Sequence, residues 1–249
     1  EYTKIASECA RRVKKYLNIP CTLITNQIKT IANFDNQILT EIPEKPSKRK
    51  WADGSKQSIL WHNRNRCSAY ALSPYDKTLL LDADFMLNSN QLQTVLDADG
   101  DFYAHNTRQY LVEHLPKKET FGMDKNTMWW ATVCVFQKTQ FTKDLFDAWK
   151  MIQDNYKHFD NLYKFNSPIY RNDYALSCAL LLCNGGEEHR SAIPWPLLNV
   201  ADSHRLEIIN GVFTIGYDVF ENDATKPKHM ALYDQDLHIM AKHSLEKLL

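Results

Sequence analysis

Lys77-Thr78-Leu79-Leu80-Leu81-Asp82-Ala83-Asp84-Phe85-Met86-Leu87 sets two acidic residues between two apolar runs. Its first five residues read as a buried strand, and two carboxylates follow directly, one residue apart. Side chains at the end of a strand leave the sheet at its carboxyl edge, which is where open α/β sheets bind ligands. Two carboxylates held this close repel each other unless a cation sits between or beside them. The stretch is therefore expected to hold a divalent metal, and a metal at such an edge suggests a bound diphosphate.

The chain supplies its own control. Asp97-Ala98-Asp99 has the same three letters, but it follows a helical pattern and precedes Gly100-Asp101, so it reads as a solvated turn. The first copy is flanked by Leu79-Leu80-Leu81 and Phe85-Met86-Leu87, which an ordinary surface turn does not explain. The competing structural reading is a carboxylate pair that caps a strand edge with backbone or arginine partners.

At 249 residues and 44% hydrophobic content, the chain can form one α/β domain with a large core or two small domains. Lys plus Arg number 30 and Asp plus Glu number 30, so the net charge is zero and any nucleic-acid contact would need a local patch. No apolar run is long enough to span a bilayer, and residues 1–8 do not have the form of a signal peptide. Cys9, Cys21, Cys67, Cys134, Cys178 and Cys183 lie far apart with no CxxC pair, mostly among apolar neighbours. They read as reduced core residues, and a cytoplasmic protein is expected.

Outward from the acidic pair, residues 2–17 have helical apolar spacing with Arg11, Arg12, Lys14 and Lys15 on the other face. Residues 21–25 read as a strand after Pro20. Residues 41–57 are polar and read as a loop carrying Lys45, Lys48, Arg49 and Lys50. A short helix is expected over 68–72, and a helix over 88–96 capped by Asn88 or Ser89. Strands are expected over 101–104, 132–136, 206–209 and 212–215. An amphipathic helix is expected over 142–156 with Leu145, Phe146, Trp149 and Ile152 inward. A nearly all-apolar, buried helix is expected over 173–183, ending at Asn184-Gly185-Gly186. No repeat or clean linker interrupts the chain, and one mixed α/β domain fits best.

Ser73-Pro74-Tyr75-Asp76-Lys77 running into Leu79-Leu80-Leu81-Asp82-Ala83-Asp84 resembles the central motif of the GT-A nucleotide-sugar glycosyltransferases. Trp129-Trp130-Ala131-Thr132-Val133-Cys134-Val135-Phe136 resembles that family's next strand. Tyr170-Arg171-Asn172-Asp173 resembles the acidic residue that opens a buried helix under the acceptor. Leu237-His238-Ile239-Met240-Ala241-Lys242 resembles its C-terminal histidine and phosphate-binding lysine. The resemblance covers roughly residues 60–249.

The resemblance implies a single GT-A-type, Rossmann-like mixed sheet flanked by helices over residues 1–249. It implies Asp84, Asp82 and His238 as ligands of Mn²⁺ or Mg²⁺, Asp82 also as a ribose contact, and Lys242 on the donor phosphates. The donor would be a UDP sugar. The family opens with a base-binding strand whereas this chain opens with a helix, so that strand is expected to be absent or to lie upstream of Glu1.

A divalent ion bridging two phosphates stabilises a departing diphosphate as a Lewis acid, and one imidazole ligand tilts the choice toward Mn²⁺. A carboxylate at a helix start can take the acceptor proton, which makes Asp173 the candidate catalytic base, with a helix cap as its alternative role. Arg66 is a candidate donor contact, weighed against an exposed salt bridge. Trp129 and Trp130 could stack on a sugar, though core is the commoner role of such a pair. His243 rivals His238 but reads better as a solvent-facing helix start.

The acceptor is less legible. Residues 45–50 end at Trp51, and Arg64 and Arg66 lie beside Trp61. Basic residues interleaved with aromatics suit a nucleic-acid strand, so a hydroxymethylated DNA base is one acceptor to consider, against a plain solvated loop. Two further readings are a haloacid-dehalogenase-type phosphatase, disfavoured by Phe85 after the pair, and an inactive GT-A-like binding module.

Overall fold

The computed structural model describes the chain apart from residues 1, 42–45, 51–55, 61–63, 113–114, 168, 202–203, 211 and 222–223, and apart from the side chains of 46–50, 56–60, 220–221, 224 and 243. Helix α1 (Tyr2–Leu17) buries Ile5, Ala6, Cys9, Ala10, Val13 and Leu17, the 3–4 residue stripe its sequence predicts. Strand β1 (Thr22–Thr25) pairs in parallel with β2 (Asn36–Leu39). Strands β3 (Pro46–Lys50) and β4 (Lys56–Leu60) form an antiparallel hairpin where a loop was expected. A hairpin satisfies its backbone groups between its own two strands, so it leaves no apolar signature of the kind a core strand does.

A 3₁₀ turn (Arg66–Ser68) leads into α2 (Ala69–Leu72), then β5 (Lys77–Leu81) and β6 (Phe85–Met86). Helix α3 (Gln93–Leu96) is shorter than the expected 88–96 and has no side-chain cap. Asn88 cannot cap it. Its amide binds Arg12 and the Gln235 carbonyl, and its backbone N–H binds Asp236. The elements β7 (Phe102–His105), β8 (Arg108–Tyr110), β9 (Thr120–Phe121), β10 (Asn126–Thr127) and β11 (Trp130–Gln137) follow.

Helix α4 (Gln140–Asp154) starts two residues before the expected point, because Thr139 and Thr142 form a reciprocal capping box. It is followed by α5 (Tyr156–Tyr163), α6 (Asn172–Cys183) and β12 (Leu197–Val200). The antiparallel meander β13 (Arg205–Ile209), β14 (Val212–Glu221) and β15 (Ala224–Leu232) precedes β16 (Leu237–Ile239) and α7 (Lys242–Leu248). Strand β15 is unexpected, since its Thr-Lys-Pro-Lys-His run is polar.

The result is a mixed α/β architecture with seven α-helices and several sheets among the described residues. Two sheets matter for the acidic pair. In one, β11 lies between β5 and β7, antiparallel to both. In the other, ordered β6-β16-β12-β8, β12 runs parallel to β16 and β8, and β6 is antiparallel to β16.

Strand β11 is apolar at nearly every position because both of its faces are covered. Cys134 and Phe136 pack with Leu145, Phe146 and Trp149 of α4 and Leu176 of α6. Val133 and Val135 pack on the other side with Ala10, Val13 and Leu17 of α1. Residues 175–180 of α6 are buried on all sides because they lie within or against that cluster, whereas Leu182 in the last turn is exposed, so the buried part is shorter than the expected 173–183. All six cysteines are free and five are buried. Among the described residues no helix is long and apolar enough to cross a membrane.

Candidate metal centre

The acidic pair sits where the chain passes from one sheet to the other. At the end of β5 the Asp82 N–H donates to the Thr132 carbonyl of β11 at 3.0 Å. The Phe85 N–H then donates to the Asp82 carbonyl at 3.0 Å, closing a tight turn over 82–85. Beyond it Phe85 pairs with His238 across β6 and β16, and the Ile239 N–H donates to the Asp84 carbonyl at 2.9 Å. Backbone pairing thus fixes both carboxylates and the histidine.

Asp82, Asp84 and His238 each offer one ligand atom, and these atoms lie within 4.8 Å of one another. His238 Nε2 is 3.8 Å from Asp84 Oδ1. His238 Nδ1 is 2.7 Å from Asn199 Oδ1 on the neighbouring strand β12. The Asn199 amide is oriented by its own Nδ2–H, which donates to the Leu197 carbonyl at 3.0 Å. Its oxygen therefore faces the imidazole, Nδ1 donates the proton, and the Nε2 lone pair is left toward the carboxylates. That is how histidine ligands of metals are commonly held. Two carboxylate oxygens and one imidazole nitrogen suit Mn²⁺, and less well Mg²⁺.

The charges around the pair differ. Burial pushes the Asp84 carboxyl up, but His238 and Lys242 outweigh it and hold the group below the usual carboxylate range. Lys242 Nζ lies 3.0 Å from Asp84 Oδ2. Burial and the neighbouring Asp84 charge push Asp82 up, against the pull of Arg66.

Arg66 is buried, at 6% exposure, rather than part of an exposed salt bridge. Its Nη1 donates to Asp82 Oδ1 at 2.6 Å, and its Nη2 to the Thr132 and Leu80 carbonyls at 3.0 and 3.4 Å. The guanidinium is thus committed to the backbone of two strands and to one carboxylate, which is a positioning role behind Asp82. The structural alternative raised for the pair, an arginine partner, holds for Asp82 and coexists with the metal-type grouping.

Asp173 lies in the first turn of α6 but does not cap it, because the N-cap position belongs to Arg171. Its Oδ1 accepts from the Ala131 N–H at 3.0 Å and its Oδ2 from Arg171 Nη2 at 3.1 Å. Consecutive residues of β11 therefore hold the two acidic positions: Ala131 binds Asp173, and Thr132 binds Asp82. Trp129 and Trp130 are both buried, so stacking on an exposed sugar face is not open to them. Asp97 and Asp99 are exposed, as the solvated-turn reading requires.

Arg64 stands over the Tyr170 ring at 5.5 Å. Lys45, Trp51 and Trp61 lie outside the described residues, as do the side chains of Lys48, Arg49, Lys50 and His243. Sequence reasoning missed Asn199 and Thr132. The signal for Asn199 is a single buried amide in the apolar run Leu197-Leu198-Asn199-Val200. Comparison of the chain with protein-family models, with curated proteins and with solved structures finds no match.

Proposed function

We propose that this chain is a metal-dependent glycosyltransferase of GT-A type, one domain over residues 1–249, that moves a sugar from a UDP sugar to an acceptor hydroxyl. The observation that carries the reading is the His238 Nε2 lone pair, fixed by Asn199, converging with Asp82 and Asp84 at the end of an apolar strand. Parallel strands β8, β12 and β16 beside that end, and the carboxylate that opens the buried helix α6, support it further. The free, mostly buried cysteines support a reducing, cytoplasmic setting.

In this reading Asp82, Asp84 and His238 hold Mn²⁺ or Mg²⁺. When bound, the ion supplies charge neutralisation for the departing diphosphate. Lys242 is about one-third exposed and turns from Asp84 toward phosphate oxygens. Arg66 keeps Asp82 in place from behind and does not itself meet the donor. Asp173 takes the acceptor proton through Oδ2, whose partner Arg171 is half exposed and so easily displaced. The modified-DNA acceptor suggested by residues 45–51 and Trp61 has no described side chain in its favour, so the proposal stops at an acceptor hydroxyl.

The test is a thermal-shift series with UDP and UDP-glucose, each with and without Mn²⁺. Ligand binding to the native state raises Tm by mass action, with a gain of about 2.7 kcal/mol at a hundredfold excess over Kd. The expected result is a shift that requires both nucleotide and Mn²⁺. A flat series with Mn²⁺ present would sink the reading.

A further inference from the structure

Strands β6 and β16 set Asp84 against His238, yet their ladder holds only the pairs Phe85–His238 and Met86–Leu237. So short a ladder has little backbone pairing to fix its register. A slip of one residue would turn His238 to the opposite face of the sheet, away from Asp84. Further bonds close the ladder at both ends. At one end the Ile239 N–H donates to the Asp84 carbonyl at 2.9 Å. At the other end the closing group is a side chain, that of Asp236.

Asp236 is 7% exposed. Its Oδ1 accepts from the Asn88 N–H at 2.8 Å, the Ser89 N–H at 2.9 Å and the Ser89 hydroxyl at 3.1 Å. Its Oδ2 is buried without a hydrogen-bond partner among the described residues, so the carboxylate acts through Oδ1. Asn88 Nδ2 donates to the Gln235 carbonyl at 2.6 Å and ties the same two segments a second time. Arg12 of α1 donates to the Leu87 carbonyl at 3.1 Å and to Asn88 Oδ1, which anchors the junction to that helix. Asp236 stands two residues before His238, and its partner Asn88 stands four after Asp84. The carboxylate therefore joins the segment that leaves one candidate ligand to the segment that enters the other.

We propose that Asp236 is a positioning residue of the metal centre. Through Oδ1 it sets β6 against β16, and so Asp84 against the His238 imidazole. Its effect on metal affinity rests on the metal-centre reading of Asp82, Asp84 and His238, and its effect on register does not.

The experiment compares the full chain with Asp236→Ala, Asp236→Asn and Ser89→Ala by two readouts. One is amide hydrogen exchange of the metal-free protein, at Ile239 and at Gln137, whose N–H donates to the Asp101 carbonyl at 2.9 Å. The other is calorimetric titration with Mn²⁺. In Asp236→Ala, exchange at Ile239 is expected to rise about tenfold with Gln137 unchanged. Mn²⁺ binding is expected to weaken about tenfold or more. Asp236→Asn keeps the Oδ1 acceptor and should restore most of both. Ser89→Ala removes one of the three bonds and should raise Ile239 exchange about threefold, which decides the matter if Asp236→Ala does not fold.

Equal rises at Ile239 and Gln137 would make Asp236 a residue of general stability and overturn the proposal. Unchanged exchange at Ile239 would also overturn it, as would unchanged Mn²⁺ affinity beside faster exchange there. If the unaltered chain binds no Mn²⁺, the metal-centre reading and the positioning role toward a metal both fail. The exchange data then decide the register alone.

Discussion

His238 Nδ1 lies 2.7 Å from Asn199 Oδ1, and this contact between neighbouring parallel strands determines which nitrogen of the ring faces Asp84. Removing it frees the imidazole to rotate and to change tautomer. Asn199→Ala is expected to weaken Mn²⁺ binding by 10- to 100-fold, the usual cost of losing such a support. Calorimetric titration with Mn²⁺ measures it, and an unchanged affinity would mean that His238 is not a ligand.

Asp84→Asn keeps the volume of the side chain and removes its charge. The Mn²⁺-dependent part of any UDP-induced rise in Tm should disappear. The same variant leaves Lys242 without its anion, so phosphate-driven binding without metal should not be strengthened at high salt. A Mn²⁺ response equal to that of the unaltered chain would remove Asp84 from the metal set.

Arg66 is buried against Asp82, and taking it away leaves a carboxylate with its main countercharge gone. Arg66→Met should destabilise the fold by about 3 kcal/mol, at the low end for a broken buried pair because Asp82 keeps some solvent contact. Adding Asp82→Asn should recover part of that loss, since no unpaired charge then remains. Denaturant unfolding of the two single variants and the double variant measures the coupling.

Asp173→Asn can still accept from the Ala131 N–H, so the start of α6 should stay in place. Donor affinity should be retained and sugar transfer lost, with KM for the donor little changed and kcat reduced at least a hundredfold. Full turnover would make Asp173 a support for β11 and nothing more.

His105 is buried, and burial, against the opposing hydrogen bond to the Trp195 carbonyl, pushes it down from its ordinary 6.5 to about 4. Its folded value lies below its unfolded one, so between these values the unfolded chain binds more protons. Stability is full above pH 6.5 and is lost as pH falls toward 4, by roughly 3 kcal/mol from this residue. His105→Gln should lower stability at neutral pH and flatten the decline between pH 6.5 and 4. Urea unfolding across that range reads both, and an undiminished slope would place the acid sensitivity elsewhere.

Much of the local structure was legible. The apolar stripe of α1, the inward face of α4 and the all-round apolarity of α6 were visible because helical burial repeats within a few residues. The contrast between Asp82-Ala83-Asp84 and Asp97-Ala98-Asp99 was visible because apolar neighbours on both sides mark a buried turn. The pairing of β3 with β4 and strand β15 were not, since such pairing satisfies backbone groups and leaves little side-chain pattern. Arg66 was read as a donor contact, with an exposed salt bridge as the alternative, because composition does not show that two carbonyls and a carboxylate await it.

An α/β chain with a carboxylate pair at the end of an apolar strand was readable from the residues alone, because hydrophobic period and strand length are local properties. That Asp84 meets His238 and that Asn199 selects the ring nitrogen follow from tertiary contacts alone. Those relationships depend on which strands pair and in what register. Register is set by the packing of distant apolar faces, as where β11 is enclosed by α1 on one side and α4 and α6 on the other.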